Sequence, residues 1–319
     1  VSASRRTDIP SYYSEWFVNR IKEGFVYARN PMNIHQISKI ALSTEVVDGI
    51  VFWTKNPLPI MDKLHILDRY MYYFQFTVNS YAQDIEPNVP NKNDIIIPAF
   101  RDLSKNLGAD RVIWRYDPIL LTEKYTVDYH VTYFEEIAKR LSGYTNKCII
   151  SFVDMYRNTQ GNMKAFGLLP LGTKEMLELA QRLVAIAEKY HIIVESCAEK
   201  INLEQFGIAH GHCIDCGLFE KLLGCKLNLD KDKNQGEECG CMASIDIGMY
   251  NTCRNGCRYC YANYSAKTVE RLCSLHDPLS PLISGIVGPD DVVKERLVRS
   301  CKQCQMDLQG RVHAKYYNK

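Results

Sequence analysis

The stretch "ASIDIGMYNTCRNGCRYCYANYS", residues 243–265, decides how this chain is read. "ASIDIG" has the look of a short buried strand. Directly after it come Cys253, Cys257 and Cys260, spaced C-x3-C-x2-C, with Tyr259 before the last and Gly256 inside the loop. A cubane iron–sulfur cluster normally takes four thiolates, so three closely spaced cysteines leave one iron open to a small ligand. Structural zinc prefers four protein ligands, usually as two C-x2-C pairs, and no clean second pair adjoins Cys257 and Cys260. Glycine at 256 lets the loop wrap tightly.

Outside this stretch the cysteines are lopsided. Of 13 in 319 residues, only Cys148 precedes position 197. A secreted disulfide scaffold is shorter and stapled throughout, whereas clustered thiols in a reducing compartment point to metal or catalysis. The start, "VSASRRTDIPSYY", lacks the apolar core of a signal peptide, and no apolar run is long enough to span a bilayer. The expectation is a cytoplasmic protein with no membrane partner. A formal net charge of +2 gives no general electrostatic drive toward nucleic acid, although a local basic groove is compatible with it.

Strand-like and helix-like segments alternate along the first 200 residues. "DGIVFWTKNP", "YMYYFQFTVN", "RVIWRYDP", "KCIISFVDMY" and "IIVESCAE" read as strands. "SEWFVNRIKEG", "AFRDLSKNLG", "TVDYHVTYFEEIAKRLSG" and "TKEMLELAQRLVAIAEKYH" read as helices, the first stopping at Gly24 and the last capped by Thr173. Alternation of this kind predicts a parallel sheet, and near-continuous apolar strands predict that both its faces are buried. The strands end in polar residues: Arg5, Arg6, Thr7 and Asp8; Lys55 and Asn56; Thr77 and Asn79; Arg115 and Asp117; Ser151 and Asp154; Glu195. A (β/α) barrel gathers its chemistry at such strand ends. The expected fold is therefore α/β, a partial TIM-type barrel with a Cys-rich C-terminal region. Its parts are a main body over 1–200, a Cys-rich insertion over 201–241, the last strand and cysteine loop over 242–265, and an extension over 266–319.

"CRNGCRYCYA" resembles the cluster loop of radical S-adenosylmethionine (SAM) enzymes, most closely the spore photoproduct lyase-like branch. That resemblance implies a [4Fe-4S] cluster on Cys253, Cys257 and Cys260, with Tyr259 near the adenine of SAM. In that superfamily the loop follows the first barrel strand, near the N-terminus. Its late position here implies a circular permutation, with "ASIDIG" as the spatial first strand and "VSAS" the second. "TDIPSYYSEWFVNRI" and "VFWTKNP" resemble segments that follow the next strands of the lyase-like branch. The whole chain also resembles a family of functionally uncharacterised microbial proteins noted for radical-SAM-like cysteines at the C-terminus.

The implied activity is reductive cleavage of SAM to a 5′-deoxyadenosyl radical, which takes hydrogen from a substrate the sequence does not identify. An electron donor such as a flavodoxin or ferredoxin is implied as partner. Arg5 or Arg6 would pair with the methionine carboxylate, since guanidinium binds carboxylate in a fork. Thr7, Asp8 and Asn56 would contact the cofactor, and Asp8 would take its amino group or ribose. Lys55, Arg115 and Asp117 are the candidate catalytic groups. Arg115 and Asp117, two apart on one strand, also read as a structural salt bridge. Cys197, Cys213, Cys239 and Cys241 are expected to hold a second centre. An iron–sulfur relay is the first reading, and zinc with His210 or His212 replacing a thiolate is its rival. Cys216 is an alternative ligand, and Cys301 with Cys304 forms a peripheral C-x2-C pair. Two other functions stay open: an electron-transfer or sensor protein without catalysis, and a nucleic-acid repair protein by analogy with the lyase-like branch.

Overall fold

The computed structural model describes residues 1–154 and 157–303. In chain order the strands are β1 (Ser2–Ala3), β2 (Phe25–Asn30), β3 (Asn33–Ala41), β4 (Ile50–Thr54), β5 (Tyr72–Thr77), β6 (Val112–Ile119), β7 (Lys147–Phe152), β8 (Ile193–Ser196), β9 (Ala209–His210), β10 (Lys226–Leu227), β11 (Val292–Arg296) and β12 (Lys302–Gln303). The α-helices are α1 (Ile9–Tyr12), α2 (Ser14–Glu23), α3 (Leu58–Met61), α4 (Ile97–Leu107), α5 (Val127–Leu141), α6 (Arg157–Met163), α7 (Thr173–Lys189), α8 (Cys216–Leu223) and α9 (Ala266–Ser274). Helix α2 stops before Gly24 as the sequence predicts. Helix α7 differs by one position at its start: Gly172 is the N-cap and Thr173 lies inside the first turn.

The main sheet has seven strands in the order β1-β4-β5-β6-β7-β8-β9, and all its pairs are parallel. An eighth segment lies against its first edge. Asp246 bridges Ser2 in parallel, flanked by Ser2 N donating to Ile245 O at 2.8 Å and Ile247 N donating to Ser2 O at 3.1 Å. "ASIDIG" thus neighbours β1 through one bridge rather than a full strand. Among the described residues no pairing joins β9 back to this segment, so the sheet is open. The expected partial barrel is an open seven-stranded parallel sheet, since among the described residues the strand pairing ends at β9.

Alternation along the strands divides the side chains between two cores. Phe52, Phe74, Trp114 and Ile150 pack with Phe17 of α2, Phe100 of α4, Phe134 of α5 and Leu183 of α7. Their neighbours Val51, Tyr73, Ile113 and Ile149 belong to a second cluster with Cys213, Ile214, Phe219, Cys239 and Cys241. Helices therefore cover one face of the sheet, and the Cys-rich segment covers the other. Both faces are buried, as the apolar strands require. Apart from this sheet, β2 and β3 form an antiparallel hairpin with β11 added in parallel along β3, and β10 pairs with β12. Among the described residues no helix is long and apolar enough to cross a membrane.

Candidate metal centre

The loop carrying Cys253, Cys257 and Cys260 folds over the ends of β1, β4 and β5. Gly256 at its turn has φ +68°, a conformation that disfavours a side chain. Asn255 holds the loop down: its side chain donates to Asp8 Oδ2 at 3.1 Å and accepts from Tyr12 Oη at 2.9 Å. Asp8 also caps α1 by accepting from Ser11 N, and accepts from Lys55 N at 2.8 Å. Burial raises the Asp8 pKa, although these donors work the other way. Asp8, expected on the cofactor, has both carboxylate oxygens engaged by the protein.

The three thiols are close enough to influence one another electrostatically. Burial pushes all three upward, Cys257 to about 12, while the nearby Lys55 ammonium favours the thiolates of Cys257 and Cys260. Backbone N–H groups of Ala262 and Asn263 point at Cys260 sulfur, and that of Asn255 at Cys253. Donors aimed at sulfur, a nearby cation and burial from water suit thiolates on a cluster, where metal replaces the protons. The residues present therefore fit a three-cysteine iron–sulfur site.

Beside this loop lies a buried ionic group that the sequence reading missed. Glu86 is 1% exposed. It meets Lys55 Nζ at 2.8 Å and Lys92 Nζ at 2.5 Å, and accepts from the Tyr259 hydroxyl. Burial alone would raise its pKa, but the two ammonium groups prevail and hold it at about 2. Asn79 joins the group by donating to Tyr259 Oη at 3.2 Å and to Asp117 O at 2.9 Å. Lys55 also lies over the Tyr259 ring, 5.4 Å from its centroid. Lys55 and Tyr259 thus stand together at the loop, as expected, but each is committed to Glu86. Glu86 follows β5 in an irregular stretch, where no periodicity marks it.

Arg115 and Asp117 form the salt bridge that the sequence allowed. Arg115 donates through Nε and Nη2 to Asp117 Oδ2 at 3.0 and 2.8 Å, and Ser151 donates to the other oxygen. Burial opposes ionisation of Asp117, but Arg115, Ser151 and Lys55 together outweigh it and keep the pKa low. Glu199, near the end of β8, was also missed. It accepts from Phe152 N at 2.7 Å, and burial with nearby Asp154 and Asp117 lifts it to about 7.

The structure divides the remaining candidates between two places. The Arg5 side chain lies near Cys213, Cys239 and Cys241, with its guanidinium over Trp53 at 5.4 Å, while its backbone carbonyl accepts from Tyr261 Oη of the cysteine loop at 2.8 Å. Arg6 lies over Tyr250, and Asn56 accepts from Leu58 N in the turn into α3. Thr7 Oγ1 and Arg5 Nη2 are buried without a hydrogen-bond partner. Cys197, Cys213, Cys239 and Cys241 do come together. Cys197 Sγ lies 3.2 Å from Cys213 Sγ, Cys213 is hydrogen-bonded with Cys241, and Cys241 with Cys239. The bond with Cys241 lowers Cys239 to about 7.

His210 is exposed on β9, whereas His212 packs against Gly240. Cys216 opens α8 and is near Cys301, and Cys304 lies outside the described residues. Cys197, Cys213, Cys216, Cys239, Cys241, Cys253, Cys257, Cys260 and Cys301 are free thiols. Among the described residues, no three His, Cys, Asp or Glu side chains already stand as a ready metal site.

A family profile described as "Domain of unknown function (DUF1848)" matches residues 1–262, a span that includes both cysteine groups. No curated protein matches the chain.

Proposed function

The chain belongs to the DUF1848 family, and we propose that its members use a radical SAM-type centre on Cys253, Cys257 and Cys260. The observation that carries this reading is the placement of the three thiols, Cys257 buried and Cys253 and Cys260 half-buried. They follow a segment that lies parallel beside β1, at the strand ends where parallel α/β sheets place their ligands. Permutation of a radical SAM barrel accounts for that placement, since it makes Ala243–Gly248 the neighbour of β1 although the two are far apart in sequence. When bound, a [4Fe-4S] cluster with SAM supplies one-electron cleavage of the sulfonium and a 5′-deoxyadenosyl radical that takes hydrogen from substrate.

The protein's own contribution is placement and charge. Asp8 and Asn255 fix the loop against α1 and β4. Lys55 balances thiolate charge at Cys257 and is itself held by Glu86. Tyr259 orients its ring through the same carboxylate and packs on Tyr81. Thr7, with a buried hydroxyl awaiting a partner, is the best-placed cofactor contact on the first loop. An electron donor such as a flavodoxin or ferredoxin completes the proposal.

Anaerobic reconstitution of the full chain with iron and sulfide tests it. About four irons per chain, lost in a Cys253→Ala/Cys257→Ala variant, are expected. Adding SAM and dithionite should then yield 5′-deoxyadenosine. Iron without that product would instead make this an electron-transfer protein, and no iron on these cysteines would end the reading.

A further inference from the structure

The four thiols on the inner face of the sheet come from three separate stretches. Cys197 follows β8, Cys213 follows β9, and Cys239 and Cys241 flank Gly240 directly after a turn that Cys239 N closes on Gly236 O at 3.1 Å. Their approach is built into the fold. Tyr73 Oη and Gln75 Nε2, both on β5, donate to the Cys213 carbonyl at 2.7 and 3.0 Å. Met242 N donates to Ile214 O at 3.1 Å, which ties this stretch to the Cys213 loop. A Cβ on residue 240 would sit 2.9 Å from His212 Nε2, so this position takes glycine.

One feature sets the ligand class and a second favours thiolates. The first is spacing. A tetrahedral ion with metal–sulfur bonds of about 2.3 Å places its sulfurs about 3.8 Å apart. A cubane puts each thiolate on a different iron and holds the sulfurs wider. Cys197 and Cys213 stand 3.2 Å apart, already close to the single-ion spacing. The second is charge. Arg115 Nη1 donates to Cys213 Sγ at 2.8 Å, and Arg5 also lies near these thiols, with Nη1 3.7 Å from Asp232 Oδ2 and Nη2 buried without a hydrogen-bond partner. These guanidinium groups, which also pair with Asp117 and Asp232, place positive potential beside the sulfurs and so favour thiolates, whichever metal they hold.

We propose that Cys197, Cys213, Cys239 and Cys241 bind one zinc ion as four thiolates and so lock the Cys-rich segment onto the sheet. Binding forms four Zn–S bonds and releases four thiol protons, with no change of oxidation state. The site is separate from the cysteine loop and stands without the radical SAM reading. It chooses one of the two ligands that the sequence leaves open for these residues.

The test is metal analysis of the full chain purified without added iron. About one zinc per chain is expected, kept in Cys253→Ala/Cys257→Ala and lost in Cys213→Ser/Cys241→Ser. If the second variant fails to fold, growth of the wild-type chain with cobalt in place of zinc gives the same answer. Visible absorption of a tetrahedral cobalt tetrathiolate is the expected signature. Two outcomes overturn the proposal. One is about eight irons per chain after anaerobic reconstitution, falling to about four in Cys213→Ser/Cys241→Ser. The other is neither zinc nor a cobalt spectrum.

Discussion

Asp8 and Asn255, 247 positions apart in the chain, meet side chain to side chain at 3.1 Å. Through this contact the first loop of the sheet holds the cysteine loop. Asp8 gathers three donors from three segments: Ser11 N, Lys55 N and Asn255 Nδ2. Replacing Asp8 by Ala is expected to destabilise the fold by about 2–3 kcal/mol, since an N-cap and charge-assisted bonds are lost together. Trypsin should then cut faster after Arg254 or Arg258 in the freed loop. Asn255→Ala should accelerate cleavage with a smaller change in urea midpoint.

Asp246 is the second stitch. Its carboxylate accepts from Ser2 Oγ, Ser4 Oγ, Arg5 N and Gly248 N at 2.6–2.9 Å. Asp246→Ala should cost about 2–3 kcal/mol in chemical unfolding, because several donors lose a charged partner at once. Hydrogen exchange should show the loss at residues 1–6 and 243–248 while β6 and β7 keep their protection.

Glu86 is expected to be the costliest single polar residue to neutralise. Glu86→Gln leaves the Lys55 and Lys92 ammonium groups buried without their anion, and breaking such a buried pair costs about 3–5 kcal/mol. Adding Lys55→Met should recover part of that loss. Additive effects in the double variant would mean that the two residues do not share one charge balance.

His130 makes stability fall in mild acid. It is fully buried, with Nε2 2.8 Å from Leu120 O and Nδ1 2.8 Å from Tyr116 Oη. Nε2 therefore carries the proton, and Nδ1 accepts from tyrosine. Burial holds the imidazole at about 4 when folded, against an ordinary 6.5. The lowered value favours the fold fully above pH 6.5, and that contribution drains as pH falls toward 4. The difference corresponds to about 3 kcal/mol. Urea midpoints at pH 7.5 and 4.5 should differ less in His130→Asn than in the wild-type chain. An equal difference would assign the acid sensitivity elsewhere.

Much of the sheet was legible because its strands are uniformly apolar and its helices strongly amphipathic. The crowding of twelve cysteines into residues 197–304 marked a metal-bearing region, but the choice of Cys197, Cys213, Cys239 and Cys241 among them came only from the family resemblance. The hairpin of β2 and β3 was not legible. Much of β3 and all of β11 are exposed, so they carry little burial pattern, and β11 joins from residues 292–296. Glu86 and Asp246 escaped notice for a different reason. Each is a single carboxylate whose role depends on donors from distant segments, which no local spacing reveals. Arg5 sits at the four thiols because the Cys-rich segment covers the inner face of the sheet. The strand-end reading took that face to be an open mouth.

The bridge between Ser2 and Asp246 also orders events during synthesis. Strands β1 through β9 leave the ribosome before the segment that completes the first edge, and the cysteine loop comes after that. Contacts that span 244 residues close late, after the local helices and neighbouring strands have formed. Loading of the three-cysteine loop is therefore a step that follows translation of the sheet. Until then the edge of β1 waits unpaired, and the nascent chain is most open to mispairing during that interval.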